Sequence, residues 1–328
     1  MTKLYSINLQ LFAEMNTNTT LSAGLSVENK TFYDKTLLVE AQANLVHDQF
    51  AQKRPIPKNG GKKIEFRKFA SLPKALTPLT EGVTPDGKSL EVTSIEAEVS
   101  QYGDYVVYSD ILDLTAIDPM VTEAVKVIGN QAGLTLDTIT REALQGGTNV
   151  FYCSKKDGTE VKSRTDLDNT CRLTAKEVKK VAAWLKKNNA PKIDGSYVSI
   201  IHPYVAYDLQ NDPEWIEAHK YTTPENIYEG ELGKVGGVRF VESSEARVYE
   251  GGVFGCIFLG ANAYGVTEVE GGGLKTIIKQ LGSSGVADAL DQRASIGWKA
   301  IKTAEILLDN YIVRVECKSE LSDGLAAN

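Results

Sequence analysis

A chain of 328 residues is long enough for one large domain or about two ordinary ones with a substantial core. Its 42 % hydrophobic and 24 % charged residues match the soluble globular average, which excludes fibrous and disordered classes. A formal net charge of −7 excludes a protein that gathers nucleic acid by bulk charge, because counterion release needs clustered Lys and Arg. Weak contact through a local patch is all that this balance leaves.

The chain opens on residues 1–30, rich in Asn, Thr and Ser and without periodicity, which read as an extended arm. Its charges before Lys30 are Lys3, Glu14 and Glu28, too few for an arm that neutralises nucleic acid, so it is expected to lie against protein. Met1–Ala13 has one Lys, an apolar segment interrupted by polar residues and no signal-peptide cleavage site, and the expectation is that no signal peptide is present. Residues 31–52 read as a helix with Phe32, Leu37, Leu38, Ala41, Leu45 and Phe50 on its apolar positions and Pro55 beyond its end.

A basic run follows: Lys53, Arg54, Lys58, Lys62, Lys63, Arg67 and Lys68 against the single acid Glu65. Residues 62–69 alternate Ile64 and Phe66 with charge and read as a half-exposed strand. Three readings stay open: a solvated strand edge guarded by Lys, contact with an acidic neighbouring subunit, or nucleic acid. Residues 70–89 have no period yet carry Leu72, Leu76, Leu79 and Val83, and residues 90–99 alternate again. A loop of about 20 residues without structure of its own is usually functional or disordered. The stretch reads as a long hairpin whose apolar tip packs on another chain. Gly82–Ser89 matches the phosphate-loop pattern G-x-x-x-x-G-K-[ST], but that chemistry needs a buried strand before it and a helix after it, and an alternating strand follows instead.

Residues 101–110 form the next strand. From Asp118 a single long helix is predicted to Gln145, roughly 42 Å at 1.5 Å per residue, with Val121, Val125, Ile128, Ala132, Leu136, Ile139 and Ala143 on one face. Asp118 suits its N-cap, Pro119 its first position and Gly146-Gly147 a left-handed stop. Gly129 and Gly133 inside it point to a bend or a close backbone contact. Residues 149–173 are short and strand-like, with a turn at Lys156–Gly158. Thr174-Ala-Lys-Glu177 is a capping box opening a helix with Val178, Val181, Ala182 and Leu185 on one face. Tyr197–Ile201 reads as a buried strand, Pro203 opens a short helix, and Asp212-Pro213 marks a turn before Trp215. Segments 238–241, 253–259 and 274–278 read as strands of one mixed sheet punctuated by glycine. Residues 294–300 and 311–317 are expected to pair and return to the strand at 101–109.

Candidate chemistry is sparse. The four cysteines, Cys153, Cys171, Cys256 and Cys317, have no C-x-x-C spacing and read as reduced packing residues. His47, His202 and His219 have no metal-ligand spacing. No G-x-S-x-G nucleophile elbow, no G-x-G-x-x-G after a strand and no apolar run long enough to span a bilayer is present. The expectation is a structural protein, not an enzyme, with no catalytic, cofactor or metal site.

Several blocks of text resemble the major capsid proteins of tailed bacteriophages and prophages: Asn8–Ala13 (NLQLFA), Thr77–Pro85 (TPLTEGVTP), Ser100–Tyr105 with Leu112–Pro119, and Gly297–Ile301 with Ile312–Glu316. The resemblance implies the α+β capsid fold shared by tailed phages and herpesviruses. It implies an N-terminal arm (1–30), an N-terminal helix and linker (31–61), an extended loop hairpin (62–99) and a spine helix (118–145). A peripheral domain (100–190 and 294–320), an axial domain (191–293) and a C-terminal tail (321–328) complete it. It further implies pentamers and hexamers closing into an icosahedral head around double-stranded DNA, touched non-specifically, with portal and decoration proteins as partners and no membrane. The virion would be assembled in the host bacterial cytoplasm. The stretch before the first helix is too short for a fused scaffolding segment, so a separate scaffold protein is expected. Candidate interface residues are Lys62, Lys63, Arg67, Lys68, Leu72, Leu76, Leu79, Glu81 and Val83. Two alternatives stand beside this: an encapsulin-type nanocompartment shell, and, more distantly, a nucleotide-binding enzyme built on Gly82–Ser89.

Overall fold

Runs of β-branched and aromatic residues form strands, and three- and four-residue apolar spacings form helices, in an α+β arrangement. The computed structural model describes residues 17–18, 45–69, 72–78, 81–82, 84, 86–115, 120–220, 232–269, 272–281, 288, 290–322 and 324–328. Its strands are β1 (Thr17–Asn18), β2 (Gln52–Lys53), β3 (Lys63–Phe69), β4 (Val92–Glu98), β5 (Ser100–Ser109), β6 (Val150–Tyr152), β7 (Tyr197–Ile201), β8 (Lys234–Val235), β9 (Val238–Glu242), β10 (Val248–Tyr249), β11 (Val253–Leu259), β12 (Tyr264–Glu268), β13 (Lys275–Lys279), β14 (Arg293–Ile306) and β15 (Ile312–Cys317). The helices are α1 (Asp110–Thr115), α2 (Met120–Gln145), α3 (Ala175–Lys187), α4 (Pro203–Gln210) and α5 (Pro213–Lys220). The chain divides into two compact units, one of residues 1–44, 101–135 and 272–301, the other of 45–100, 136–271 and 302–328.

In the first unit β5 lies between β1, with which it runs parallel, and the N-terminal part of β14, whose other side takes antiparallel β13. Two glycines allow this close pairing. A Cβ on Gly103 would stand 2.6 Å from the Trp298 carbonyl oxygen, and one on Gly297 would stand 2.7 Å from Tyr105 Cβ. The first half of α2 buries Ile128 and Ala132 together with Gly129, and its Gln131 binds Asp104 Oδ2 at 2.7 Å and lies 3.4 Å from Trp298 Nε1. The expected caps Asp118 and Pro119 lie outside the described residues; α1 fills what the sequence left as a connector.

The second unit is built on a mixed sheet in the order β6-β15-β11-β7-β9-β8, with β10 added to β11. Strand β11, Val253–Leu259, is buried along its whole length, as a strand covered on both faces must be. Helix α3 packs Val178, Val181, Ala182 and Leu185 into this core, and Thr174 caps it by accepting from the Glu177 N–H, as the capping box predicts. This sheet draws strands from both sides of the expected domain boundary at residue 191. A smaller sheet places β12 between the C-terminal part of β14 and β2, and β3 and β4 form a separate hairpin.

Five expectations are corrected. Within the predicted helix 31–52, described from residue 45, residues 45–51 form a turn leading into β2. The His47 N–H and ring both bind Asp137 (2.8 and 2.6 Å), and its carbonyl accepts from the Tyr264 hydroxyl, so these groups are not spent on a helical ladder. Asp212-Pro213 is no turn: Asp212 Oδ1 accepts from Glu214 N at 3.2 Å and starts α5. Strand β13 belongs with β14 and not with β9 and β11. Strands β14 and β15 do not pair; all of β15 except Arg314 is buried, so it needs neighbours on both edges and finds them in β11 and β6. At the end of α2 neither Gly146 nor Gly147 has a positive φ. The chain is turned there by Asp309, which accepts from Thr148 N at 3.0 Å.

Candidate subunit-contact surface

The hairpin of β3 and β4 sorts its side chains by position along the strands. Its register pairs Ile64 with Ala97 and Phe66 with Ile95 on one face, and Lys63 with Glu98, Glu65 with Glu96, Arg67 with Ser94 and Phe69 with Val92 on the other. The first face anchors the hairpin at its base. Phe66 and Ala97 are buried there, and Phe66 lies so close to Gly265 that a Cβ on that glycine would stand 3.0 Å from the ring. The Arg54 guanidinium lies over the Phe66 ring, 5.8 Å from its centroid.

The second face carries charge. Lys63 pairs with Glu96 and Arg67 with Glu65, each at 3.2 Å and solvent-exposed. Arg67, and then Ser94, hold the Glu65 carboxyl below its ordinary range. Two residues of the basic run are thus answered from within the hairpin, Lys63 by Glu96 on β4 and Arg67 by Glu65 on its own strand. Lys62 and Lys68 make no ion pair among the described residues. Exposed pairs of this kind contribute about 0–1 kcal/mol each and set orientation more than affinity.

Beyond these charges the hairpin is apolar and open. Phe69 is 63 % exposed, Leu72 53 %, Leu76 82 %, Leu90 64 % and Val92 51 %. Leu72 and Leu76 are where the sequence placed its interface, Glu81 is exposed beside them, and Leu79 and Val83 lie outside the described residues. Sequence reasoning passed over Phe69, Leu90 and Val92. The signal was available, since all three sit at the strand ends where alternation continues past the anchored face. Fully burying one such side chain is worth about 1.5–3 kcal/mol, so a partner covering all five has a large gross gain against the cost of association. An open apolar cluster of this size is the kind of exposed patch that marks a candidate contact surface.

No competing chemistry emerges at the other residues singled out. After Gly82 the described residues lead into β4, not a helix, so the phosphate-loop pattern lacks its structural context. His202 caps α4, its Nδ1 accepting from Tyr204 N at 3.1 Å, and burial pushes its pKa down. All four cysteines are free and buried, with Cys256 and Cys317 sulfurs 3.8 Å apart. Among the described residues no group of three His, Cys, Asp or Glu side chains is arranged to hold a metal, and no helix is long and apolar enough to cross a membrane.

No family model and no curated protein matches the chain. Solved structures do. The capsid asymmetric unit of Cyanophage Pam1 superposes with a TM-score of 0.68 over 94 % of this chain and 99 % of that one, at 14 % identity. The capsid of Cyanophage P-SCSP1u gives 0.66 over 92 % and 94 %, also at 14 % identity. The chain has the fold of phage capsid proteins. The capsid of Ralstonia phage GP4 shares this fold at a TM-score of 0.65, covering 94 % of this chain and all of that one (100 %) at 14 % identity. The likeness covers more than nine-tenths of this chain in each case. At such low identity it carries over as architecture; no residue role comes with it.

Proposed function

We propose that this chain is the major capsid protein of a tailed bacteriophage or prophage, a structural shell subunit with no catalytic role. Copies associate as pentamers and hexamers and close into an icosahedral head around double-stranded DNA. The observation that carries the reading is the open apolar end of the β3–β4 hairpin on a chain with the capsid fold. Five large apolar side chains held clear of their own core make sense when a neighbouring copy receives them. In this reading residues 62–99 are the extended loop, 118–145 the spine helix, 1–30 the arm, 191–293 the axial domain, and 100–190 with 294–320 the peripheral domain. Lys62, Lys63, Arg67, Lys68, Leu72, Leu76, Leu79, Glu81 and Val83 belong to the subunit interface, joined by Phe69, Leu90 and Val92. The net charge of −7 suits a container filled by a motor, with DNA touched only non-specifically. A separate scaffold protein, a portal and decoration proteins are the expected partners, assembly takes place in the host cytoplasm, and the protein resides in the virion.

The test is expression of the chain, alone and with its neighbouring genes, followed by size-exclusion chromatography and negative-stain electron microscopy. Closed shells, tubes or capsomer-sized rings are expected. A uniform small species under every co-expression condition overturns the proposal. Removing residues 72–83 should leave a folded chain that no longer assembles, and normal shells from that deletion would remove the hairpin from the interface.

A further inference from the structure

Three of the four cysteines stand in a row across neighbouring strands. The register that sets Tyr152 of β6 beside Glu316 of β15 brings Cys153 next to Cys317, and the Cys153 N–H donates to the Glu316 carbonyl at 3.0 Å. Across the other edge of β15, Phe254 faces Cys317 and Cys256 faces Val315. Strand alternation therefore turns all three sulfurs to one face, where they lie fully buried in the core that α3 helps to form. Cys317 is the middle member. Its sulfur lies 3.8 Å from that of Cys256, and S–H donation from Cys153 and then Cys256 pushes its pKa down. Packing asks only for small apolar groups here, and it does not explain why two thiols converge on a third. A thiol so placed is the nucleophile of its group, because the thiolate is the reactive form.

We propose that Cys317 and Cys153 form a site of reversible oxidation, at which hydrogen peroxide closes a disulfide within the chain. The Cys317 thiolate attacks one peroxide oxygen, the O–O bond breaks, and the departing hydroxide takes up a proton and leaves as water, with a sulfenic acid left behind. The Cys153 sulfur then attacks Cys317 Sγ and gives its proton to the leaving oxygen. The S–S bond forms, the S–O bond breaks and a second water departs, so two thiols are oxidised and one peroxide is reduced. Strand spacing selects Cys153 over Cys256 as the partner. Directly opposed residues in neighbouring strands stand about 4.8 Å apart, inside the disulfide range of about 4.4–6.8 Å between Cα atoms, whereas diagonal neighbours such as Cys256 and Cys317 stand about 7–8 Å apart. Access comes from the edge of the sheet. Strand β6 is three residues long and pairs with β15 alone among the described strands, so its local opening admits an oxidant little larger than water.

The test treats the full chain, freshly reduced, with hydrogen peroxide, then unfolds it in N-ethylmaleimide and counts the blocked thiols by mass spectrometry. Two of the four thiols should escape blocking, peptide mapping should join Cys153 to Cys317, and dithiothreitol should restore all four. Cys256→Ala should give the same bond, and Cys153→Ala should give about tenfold less disulfide in the same time. Four blocked thiols after peroxide, a bond from Cys317 to Cys256, or a bond joining two chains overturns the assignment. An equal disulfide yield from Cys153→Ala overturns it as well.

Discussion

Phe69 and Val92 face each other across the last rung of the β3–β4 hairpin, and both remain more than half exposed, at 63 % and 51 %. Three rungs lower on the opposite face, Phe66 is buried against Gly265. The hairpin is thus a lever with one end packed and one end offered. Phe69→Asp and Leu76→Asp should leave the melting temperature within about 2 °C, because exposed sites change stability by less than about 0.5 kcal/mol. Assembly should be lost by light scattering. Shells of normal yield from the double variant would show that another surface drives association.

Lys302 is 2 % exposed and its ammonium binds Asp48 and the Leu136 carbonyl, the latter at 2.9 Å, while Asp48 also accepts from Thr140 Oγ1 at 2.5 Å. Lys302→Met leaves a carboxylate buried without its cation and should cost about 3–5 kcal/mol in urea denaturation. Adding Asp48→Asn should recover a substantial part of that loss. Additive losses would mean that the two residues are not coupled.

Gly297 has no room for a side chain, since a Cβ would stand 2.7 Å from Tyr105 Cβ and 2.9 Å from the Asp104 carbonyl oxygen. Gly297→Ala should therefore force β5 and β14 apart and cost about 1–3 kcal/mol. Gly251→Asn, at a φ of +78° with nothing near its Cβ, should be close to neutral by the same measurement.

The Thr170 hydroxyl and N–H, and then Lys155, hold the Asp168 carboxyl far below its usual 3.8. A carboxyl depressed in the folded state contributes stability that is present above the unfolded value and lost as pH falls through the folded one. Stability measured by urea should decline on acidification below about pH 4, and Asp168→Asn should flatten that part of the profile. An unchanged acid limb in the variant would assign it to other carboxylates.

Much of the architecture was already written in local periodicity. The capping box at Thr174, the apolar face of α3, the span of α2 to Gln145 and the alternating strands of the hairpin follow from residue spacing against fixed backbone geometry. So did the presence of apolar residues at the hairpin end, because leucines in a loop without period have no local partner. What spacing could not settle was which segments meet. It could not send β14 and β15 to different sheets, because that choice depends on how many faces of each strand distant chain segments cover. It placed the basic run of β3 against a single acid, because the pairing of Lys63 with Glu96 exists only once register sets β4 beside β3. It also read Leu45–Gln52 as helix, where Asp137 and Tyr264 take up the polar groups of His47 from nearly a hundred residues and more away. Backbone period is a property of neighbours in sequence, whereas partner choice, burial of charge and the exposure of an apolar tip are properties of surfaces brought together by the folded chain.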